Sequence, residues 1–460
     1  MSISALRARY EAAGQAHLLH FWDTLSAAEQ ASLAQQLDNL DIERVNRIYT
    51  KSVKAEAAAP DAHDPIEPLP KDASDSVKSE AKEREWRAIG LEAIANGTVA
   101  ARPRGCYDIG LPSHKALFQI QAERIARLQT VAEQKHNKPP GSVIIPWYVM
   151  TSGPTRRDTT QFFEKNKYFG LDPGNVVIFE QGTLPCLTAE GKVILETPSR
   201  VAVAPDGNGG LYAATRSPLS STDKSHTVLA DLAKRNILYV HAYCVDNCLV
   251  RVADPVFVGY SIQKGVDCSA KVVPKSAPTE SVGVVARRGS KFSVVEYSEI
   301  TQEQAELRDA ETGELAFWAA NIVNHFYTTA FLNKVEAYEE QLAFHIARKK
   351  IPYVDTATGQ TVKPTKPNGM KLELLRVTKS LVRSRTLRAR VPDDPDTSRR
   401  DILAQQSRFL QRAGATVAEG VEIEISPLVS YAGEGLEAVK GKTFTKSGVV
   451  SELVELDALL

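Results

Sequence analysis

The sequence predicts an α/β protein: a central, mixed but mostly parallel sheet covered by helices, an N-terminal helical region and a small C-terminal β domain. Three observations carry this. The runs "SVIIPWYVMTS", "NVVIFEQ" and "ILYVHAYCVDN" are near-continuously apolar, as strands buried on both faces are. Segments with helical or turn character, such as "RDTTQFFEKN" and "HTVLADLAKRN", separate them. The two ends of the chain differ from this middle, the first being helical in pattern and the last Gly-punctuated and rich in β-formers.

The elements follow in order. Leu6, Tyr10, His17, Leu18 and Phe21 recur at helical spacing, and Ser26 with Glu29 forms a capping-box pattern that starts a second helix. Residues 54–76 hold four prolines and alternating charge, which predicts a linker or extended strap. "EAKEREWRAIGLEAIANG" (80–97) reads as a helix stopped by Asn96-Gly97. Residues 115–136 form another, with Leu117, Ile120, Ile125 and Leu128 near one face. Residues 257–300 are expected to hold several short strands, "VVEYSEI" (294–300) among them. The expected divisions are 1–78 (helical region and linker), 79–395 (central domain) and 396–460 (C-terminal domain).

Composition excludes several function classes. Of 460 residues, 56 are Lys or Arg and 56 are Asp or Glu, so no global field draws the chain to nucleic acid or anionic membrane. No apolar run approaches the roughly 20 residues of a membrane span, and "MSISALRARYEAAGQ" lacks the apolar core of a secretory leader. The expected compartment is the cytoplasm. Cysteines 106, 186, 244, 248 and 268 are sparse and odd in number. Cys244 and Cys248 have no second Cys/His cluster near them, which argues against zinc and for buried free thiols.

Open α/β sheets bind ligands beyond the carboxyl ends of their strands. Three polar sites stand where such ends are expected: Gln181-Gly182 after "VVIFE", Pro205 to Gly210 after "RVAVA", and Asp246-Asn247 after "YVHAYCV". Together they suggest one crevice for a phosphate- or sugar-bearing small molecule. Each has a plain structural alternative: "PDGNGG" as a tight turn, Asp246-Asn247 as a helix cap, Glu296 as a solvated strand residue, Lys371 as a surface lysine, Asn321 as a cap.

Ten blocks in order resemble the eukaryotic UDP-N-acetylhexosamine pyrophosphorylases. They include "GCYDIGLPSHKALFQIQAERI", "KYFGLDPGNVVIFEQGTLP", "APDGNGGLY", "YCVDN", "ADPVFVGYSIQKG", "VVEYSEI", "AANIVNHFY", "KPNGMKLE" and "EISPLVSYAGEGLE". The resemblance implies a Rossmann-like nucleotidyltransferase domain. It also implies a reaction of UTP with N-acetylglucosamine 1-phosphate, or another N-acetylhexosamine 1-phosphate, that releases pyrophosphate with Mg²⁺ present. Carried over by position, Gln181 and Gly207 would hold the uridine and Asn208 the sugar. Asp246 would meet the phosphates, as metal ligand and nucleotide contact. Gly283, Glu296, Tyr297 and Asn321 would line the N-acetylhexosamine pocket, and Lys371 would face the triphosphate. The "VVEYSEI" and "AANIVNHFY" blocks favour an N-acetylated sugar over glucose.

Two segments depart from the family pattern. Its strand and Gly-rich loop of the form L-x-G-G-x-G-T-R-L-G, ending in Pro-Lys-Gly, should precede "CYDIG"; here "NGTVA" runs into "ARPRG". Only Pro103-Arg104-Gly105 echoes that ending, with Arg104 in the lysine's place. After Lys371 the expected Phe-rich strand and a later lysine are replaced by "LRVTKSLVRSRTLRAR". Without aromatic residues to stack on bases, that stretch reads as an exposed basic segment, not a nucleic-acid site. The abrupt edges point to altered exon junctions near residues 101 and 375. The expectation is therefore impaired turnover and poor folding. A lost central strand would leave buried N–H and C=O groups unpaired, at about 1–3 kcal/mol each. The alternative is a non-catalytic homologue that binds a UDP-sugar or a partner protein.

Overall fold

The computed structural model describes residues 2–57, 65–70, 73–76, 79–102, 108–220, 222–244, 247–289, 291–297, 299–336, 344–374, 381–383 and 395–460. The chain divides into two compact units, one of residues 1–65, 181–215 and 335–376, the other of residues 66–180, 216–334 and 377–460.

The second unit is built on an 11-stranded mixed sheet among the described residues. Its strands are β1 (Ile66–Glu67), β2 (Ser74–Ser76), β3 (Val99–Arg102), β4 (Trp147–Thr151), β5 (Val176–Glu180), β6 (Tyr239–Tyr243), β7 (Cys268–Pro274), β8 (Val284–Arg288), β9 (Lys291–Val295), β10 (Ala319–Thr328) and β11 (Leu381–Arg383). They run in the order β2-β11-β7-β10-β6-β3-β4-β5, with β8 paired to β1, β9 and β10. The pairs β6-β3, β3-β4 and β4-β5 are parallel, whereas β10 is antiparallel to both β6 and β7. All five residues of β4 are buried, which is why its sequence does not alternate. Trp147 on β4 meets Phe118 and Phe163 from two covering helices, at ring-centroid distances of 5.8 and 5.3 Å. Leu117, Ile120, Ile125 and Leu128 are all buried on helix Leu117–His136, and helix Glu80–Ala95 ends at Asn96 with Gly97 at φ 67°, as expected.

Three expectations change. The first central strand is present: Val99–Arg102 occupies the position between β6 and β4. Thr98 O accepts from the amides of Leu238 and Tyr239, and the Ala101 amide donates to Pro146 O at 3.0 Å. The small apolar run "VAA" suffices because the sheet asks of its backbone only hydrogen bonds and a thin profile. Its bond to β4 is short, a single pair, Ala101 with Trp147. Second, the basic segment contains a strand: Leu381–Arg383 forms β11, paired in parallel with β7 and β2. Third, residues 257–263 are not strand but the end of helix Pro255–Gln263. Its continuous apolar run reflects burial all round, a pattern in which period does not separate helix from strand. The two helices cross in close contact: a Cβ on Gly90 would lie 1.9 Å from Pro255 O, and one on Gly259 1.7 Å from Trp86 O.

The "strap" contributes β1 and β2 to this sheet. At the C-terminus, helix Pro395–Arg412 precedes two short parallel pairs, Thr416–Val417 with Thr443–Phe444 and Ile423–Ile425 with Gly448–Val450. They enclose their own core of Phe409, Leu410, Ile423, Ile425, Phe444 and Val450.

The first unit packs helices Ile3–Ala12, Ala27–Asn39 and Ile42–Ala57 against short strands. Its core includes Leu6, Tyr10, Leu18, Leu33, Leu37, Leu187, Val193 and Leu372. The capping box forms as expected: the Ser26 amide donates to Glu29 Oε2 at 2.9 Å while the Glu29 amide donates to Ser26 Oγ.

Candidate functional site

The expected site residues fall into two clusters, one in each unit. In the first unit, Thr183–Pro185 pairs antiparallel with Val203–Pro205. The "PDGNGG" turn therefore follows a strand of this small pair, not a strand of the parallel sheet. The pairing brings Gln181 beside Asp206, and Gln181 Nε2 donates to Asp206 Oδ1 at 3.2 Å. The Asp206 amide donates in turn to Gly182 O. Gln181 is 5% exposed, and its Oε1 is buried with no hydrogen-bond partner.

The glycines now have physical reasons. Gly207 sits at φ 87°, where an L side chain is strained. A Cβ on Gly210 would lie 1.7 Å from Asp206 Oδ1, and one on Gly182 2.8 Å from Oδ2. The carboxylate thus occupies a notch that side chains would fill. The backbone of Asn208 lies in the tight turn Asn208–Gly210, which leads into helix Leu211–Arg216.

Lys371 belongs to the same unit. It is half-buried on strand Gly369–Leu374, opposite Ala347 on strand Phe344–Lys349. The next-door Met370 exchanges both backbone hydrogen bonds with Leu187, at 2.7 and 3.0 Å, so the lysine rises from a fixed strand. That strand lies against the Asn208–Gly210 turn. Burial pushes the nearby Cys186 thiol up to about 11, against the opposing charge of Lys371. The strand that carries Lys371 thus lies beside both the turn that Gly207 opens and strand Thr183–Pro185, which follows Gln181.

In the second unit, the Asn321 amide donates to Gly283 O at 2.9 Å. A Cβ on Gly283 would stand 3.2 and 3.3 Å from the two Glu296 carboxylate oxygens. Gly283, Glu296 and Asn321 are therefore neighbours, and Tyr297 follows Glu296 with 55% exposure. Asn321 lies within β10 and is no helix cap. Its Oδ1 accepts from the Val323 amide at 3.1 Å, which orients the carboxamide. Val323 has φ 53°, an outlying value for a β-branched residue. It sits where the β7–β10 register slips between Lys271 and Val272. Val323 O accepts from the Cys244 amide, so this bulge also fastens the end of β6, two residues before Asp246. Asp246 and Arg104 themselves lie outside the described residues.

Behind the bulge is a buried polar layer that sequence reading missed. Lys271 Nζ pairs with Asp254, and Asp254 Oδ1 accepts from the Val256 amide, capping helix Pro255–Gln263. His241 bonds through Nε2 to Asn324 Oδ1 at 2.5 Å, and burial lowers its pKa to about 4. "HAYC" and "SAKVVP" look like ordinary strand sequence, and only the polar residue in each run hinted at this layer.

Residues 97–434 match the family of UTP–glucose-1-phosphate uridylyltransferases. The chain belongs to that family. Within this uridylyltransferase family it is 42% identical to UDP-N-acetylhexosamine pyrophosphorylase-like protein 1 of Xenopus tropicalis, over 95% of this chain and 94% of that protein. It is 39% identical to UDP-N-acetylglucosamine pyrophosphorylase of Saccharomyces cerevisiae, over 96% and 98%. The uridine diphosphate N-acetylglucosamine pyrophosphorylase of Trypanosoma brucei, solved with an inhibitor, superposes with a TM-score of 0.79 at 29% identity, covering 95% of both chains. These relatives bear out the resemblance to the N-acetylhexosamine pyrophosphorylases. The alignment to the Xenopus protein runs over 492 positions, more than the 460 residues of this chain, so that relative carries residues this one lacks.

Proposed function

We propose that this uridylyltransferase-family chain forms UDP-N-acetylglucosamine and pyrophosphate from UTP and N-acetylglucosamine 1-phosphate. The observation that carries the reading is Gln181 Oε1. It is a buried acceptor without a partner, beside a glycine turn, in a chain that curated N-acetylglucosamine pyrophosphorylases match nearly end to end. Such an atom destabilises the fold by about 1–3 kcal/mol until a donor meets it. The N3–H of uracil is such a donor. Oε1 is buried, so in this reading a base reaches it by displacing whatever covers it.

In the proposed reaction a phosphate oxygen of the sugar attacks the α-phosphorus of UTP in line, and the bond to pyrophosphate breaks. Positioning and charge do most of this work. Gly207 admits the ribose close to the backbone, and Asn208 is the residue this reading assigns to the sugar. Gly283, Glu296, Tyr297 and Asn321 hold the N-acetylhexosamine. Glu296 accepts from its hydroxyls, with Gly283 leaving room for the carboxylate. Lys371 and Arg104 meet the phosphates. Mg²⁺ is the metal of this reading, with Asp246 its carboxylate. Among the described residues no cluster of three His, Cys, Asp or Glu forms a cage, and Mg²⁺ bound through substrate phosphates needs only one or two carboxylates. Its contribution when bound is to neutralise phosphate charge. No helix among the described residues is long and apolar enough to cross a membrane, and we place the reaction in the cytoplasm.

A second reading, a homologue that binds the nucleotide sugar or a partner without turnover, is favoured by one observation. The Gly-rich family loop has no counterpart between "NGTVA" and "CYDIG". Pyrophosphate release from UTP is measured with N-acetylglucosamine 1-phosphate, its galactosamine counterpart and glucose 1-phosphate, beside calorimetry with UDP-N-acetylglucosamine. Release with an N-acetylated sugar supports the enzyme. Binding without release supports the second reading, and neither binding nor release overturns both.

A further inference from the structure

We propose that Asp206 sets the nucleobase specificity of this site by locking the Gln181 carboxamide in one orientation. The inference rests on the uridine-nucleotide reading above and concerns a residue that reading leaves without a role.

A carboxamide is nearly symmetric in shape but not in hydrogen bonding. One end donates twice, the other accepts, and a flip exchanges them. A buried glutamine with no polar neighbour could offer a ligand either end. Gln181 has such a neighbour on one side. A carboxylate accepts and does not donate, so the end of Gln181 that lies 3.2 Å from Asp206 Oδ1 must be the Nε2 amide. Oε1 is then forced to the other side, where it has no partner. The lock is itself held. The Asp206 backbone amide is bound to Gly182 O, and a Cβ at Gly210 or Gly182, 1.7 Å from Oδ1 or 2.8 Å from Oδ2, would push its carboxylate out of place. The glycines at 182 and 210 are thus explained by the carboxylate they accommodate as well as by the turn.

The consequence is chemical. A fixed acceptor at the base position pairs with the imide N–H of a uracil. It faces the lone pair of the corresponding ring nitrogen in cytosine, acceptor against acceptor. Discrimination of this kind is large because the rejected base leaves a buried polar group unpaired. Remove the lock and the amide turns to suit either base.

The test measures binding of UDP and CDP to the full chain by calorimetry, so it does not depend on turnover. Two variants disturb the lock by different means. Asp206→Asn lets position 206 donate or accept. Gly210→Ala keeps the carboxylate's charge but sets a methyl 1.7 Å from where Oδ1 now lies, driving it off Gln181. Thermal melts establish that each variant folds. The wild type is expected to prefer UDP, and in both variants the UDP-to-CDP affinity ratio is expected to fall by about tenfold or more, the size of one mispaired hydrogen bond. A wild type that binds neither nucleotide, or both alike, overturns the uridine reading and this inference with it. A wild type that prefers UDP while a folded variant keeps the same ratio overturns this inference alone, even if that variant binds both nucleotides more weakly. That last pattern is what a merely structural role would give.

Discussion

Replacing Lys271 by Met tests the buried layer behind the bulge next to Gly283, Glu296 and Asn321. Lys271 and Asp254 side chains are 8% and 3% exposed, so neither charge is hydrated by bulk water. Lys271 occupies the last regular pair before the β10 bulge, opposite Asn324, and Asp254 caps helix Pro255–Gln263. Lys271→Met leaves the carboxylate buried, with Arg251 and Arg87 as the opposing charges that remain nearby. Breaking a buried pair in this way destabilises by about 3–5 kcal/mol. The assay is urea unfolding at pH 7, followed by the fluorescence of Trp86 and Trp147, both buried in the same unit. Burial pushes Asp254 toward the neutral acid, but Lys271 and Arg251 outweigh it and hold the group well below the usual carboxylate range. Its folded pKa is thus below its unfolded value of about 3.9. That contribution is present above pH 4 and is lost as the pH falls further. In the variant the depression shrinks and a protonated Asp254 no longer needs a partner, so the gap between the two proteins should stay level down to about pH 4 and narrow as the pH falls further. Replacing both residues with apolar ones of similar size should recover much of the loss. A loss under about 1 kcal/mol at pH 7, or a gap that widens on acidification, would refute the reasoning.

Other outcomes follow from the same geometry. Gly259→Ala should destabilise by about 3 kcal/mol through collision with Trp86 O, although in an open helix the same change stabilises by about 1 kcal/mol; an unchanged or raised urea midpoint contradicts the crossing. His241, at about 4, lies below its unfolded value of about 6.5, so wild-type stability is full above pH 6.5 and falls by about 3 kcal/mol on approach to pH 4. His241→Gln should flatten that window, and equal pH slopes for the two proteins would count against it. Ala101→Pro removes the amide that bonds Pro146 O and puts proline in a central strand. Amide exchange at Tyr239–Tyr243 should speed up, and unchanged protection would mean that β3 is not central. Glu296→Gln should raise the KM for the sugar phosphate about tenfold or more, the scale of a hydrogen bond to a charged group, with the KM for UTP unchanged; parallel rises in both would detach Glu296 from the sugar.

What the sequence made legible was what local rules govern. Ser26 and Glu29 announced their capping box, Asn96-Gly97 stopped its helix, and "WYVMT" read as a strand buried on both faces because no polar residue interrupts it. Helix Pro255–Gln263 was misread because burial on all sides erases the period that distinguishes helix from strand. Of the candidate site, the glycines were visible but their reason was not. "PDGNGG" shows small residues, not that the aspartate within it occupies the space they leave. Val323 gave no signal at all. Its left-handed backbone arises from a slip between two strands distant in sequence, and no local propensity encodes such a slip.

The two segments that break the family pattern are also the two where the fold exceeds the sequence expectation. Both enter the sheet, as β3 and β11, each flanked by a strand on either side. A sheet position asks mainly for a backbone that can extend and bond to its neighbours, so "VAAR" and "LVR" can fill places whose usual occupants are different. A phosphate cradle asks for more: successive backbone N–H groups turned inward, which a glycine-rich loop supplies and a strand edge does not. Architecture and chemistry therefore tolerate the same replacement differently. That is why the fold of this uridylyltransferase-family chain and its rate of turnover are separate questions. The nucleotide binding proposed at Gln181 and Asp206, which lie in the other unit from both replaced strands, is expected to survive even where turnover does not.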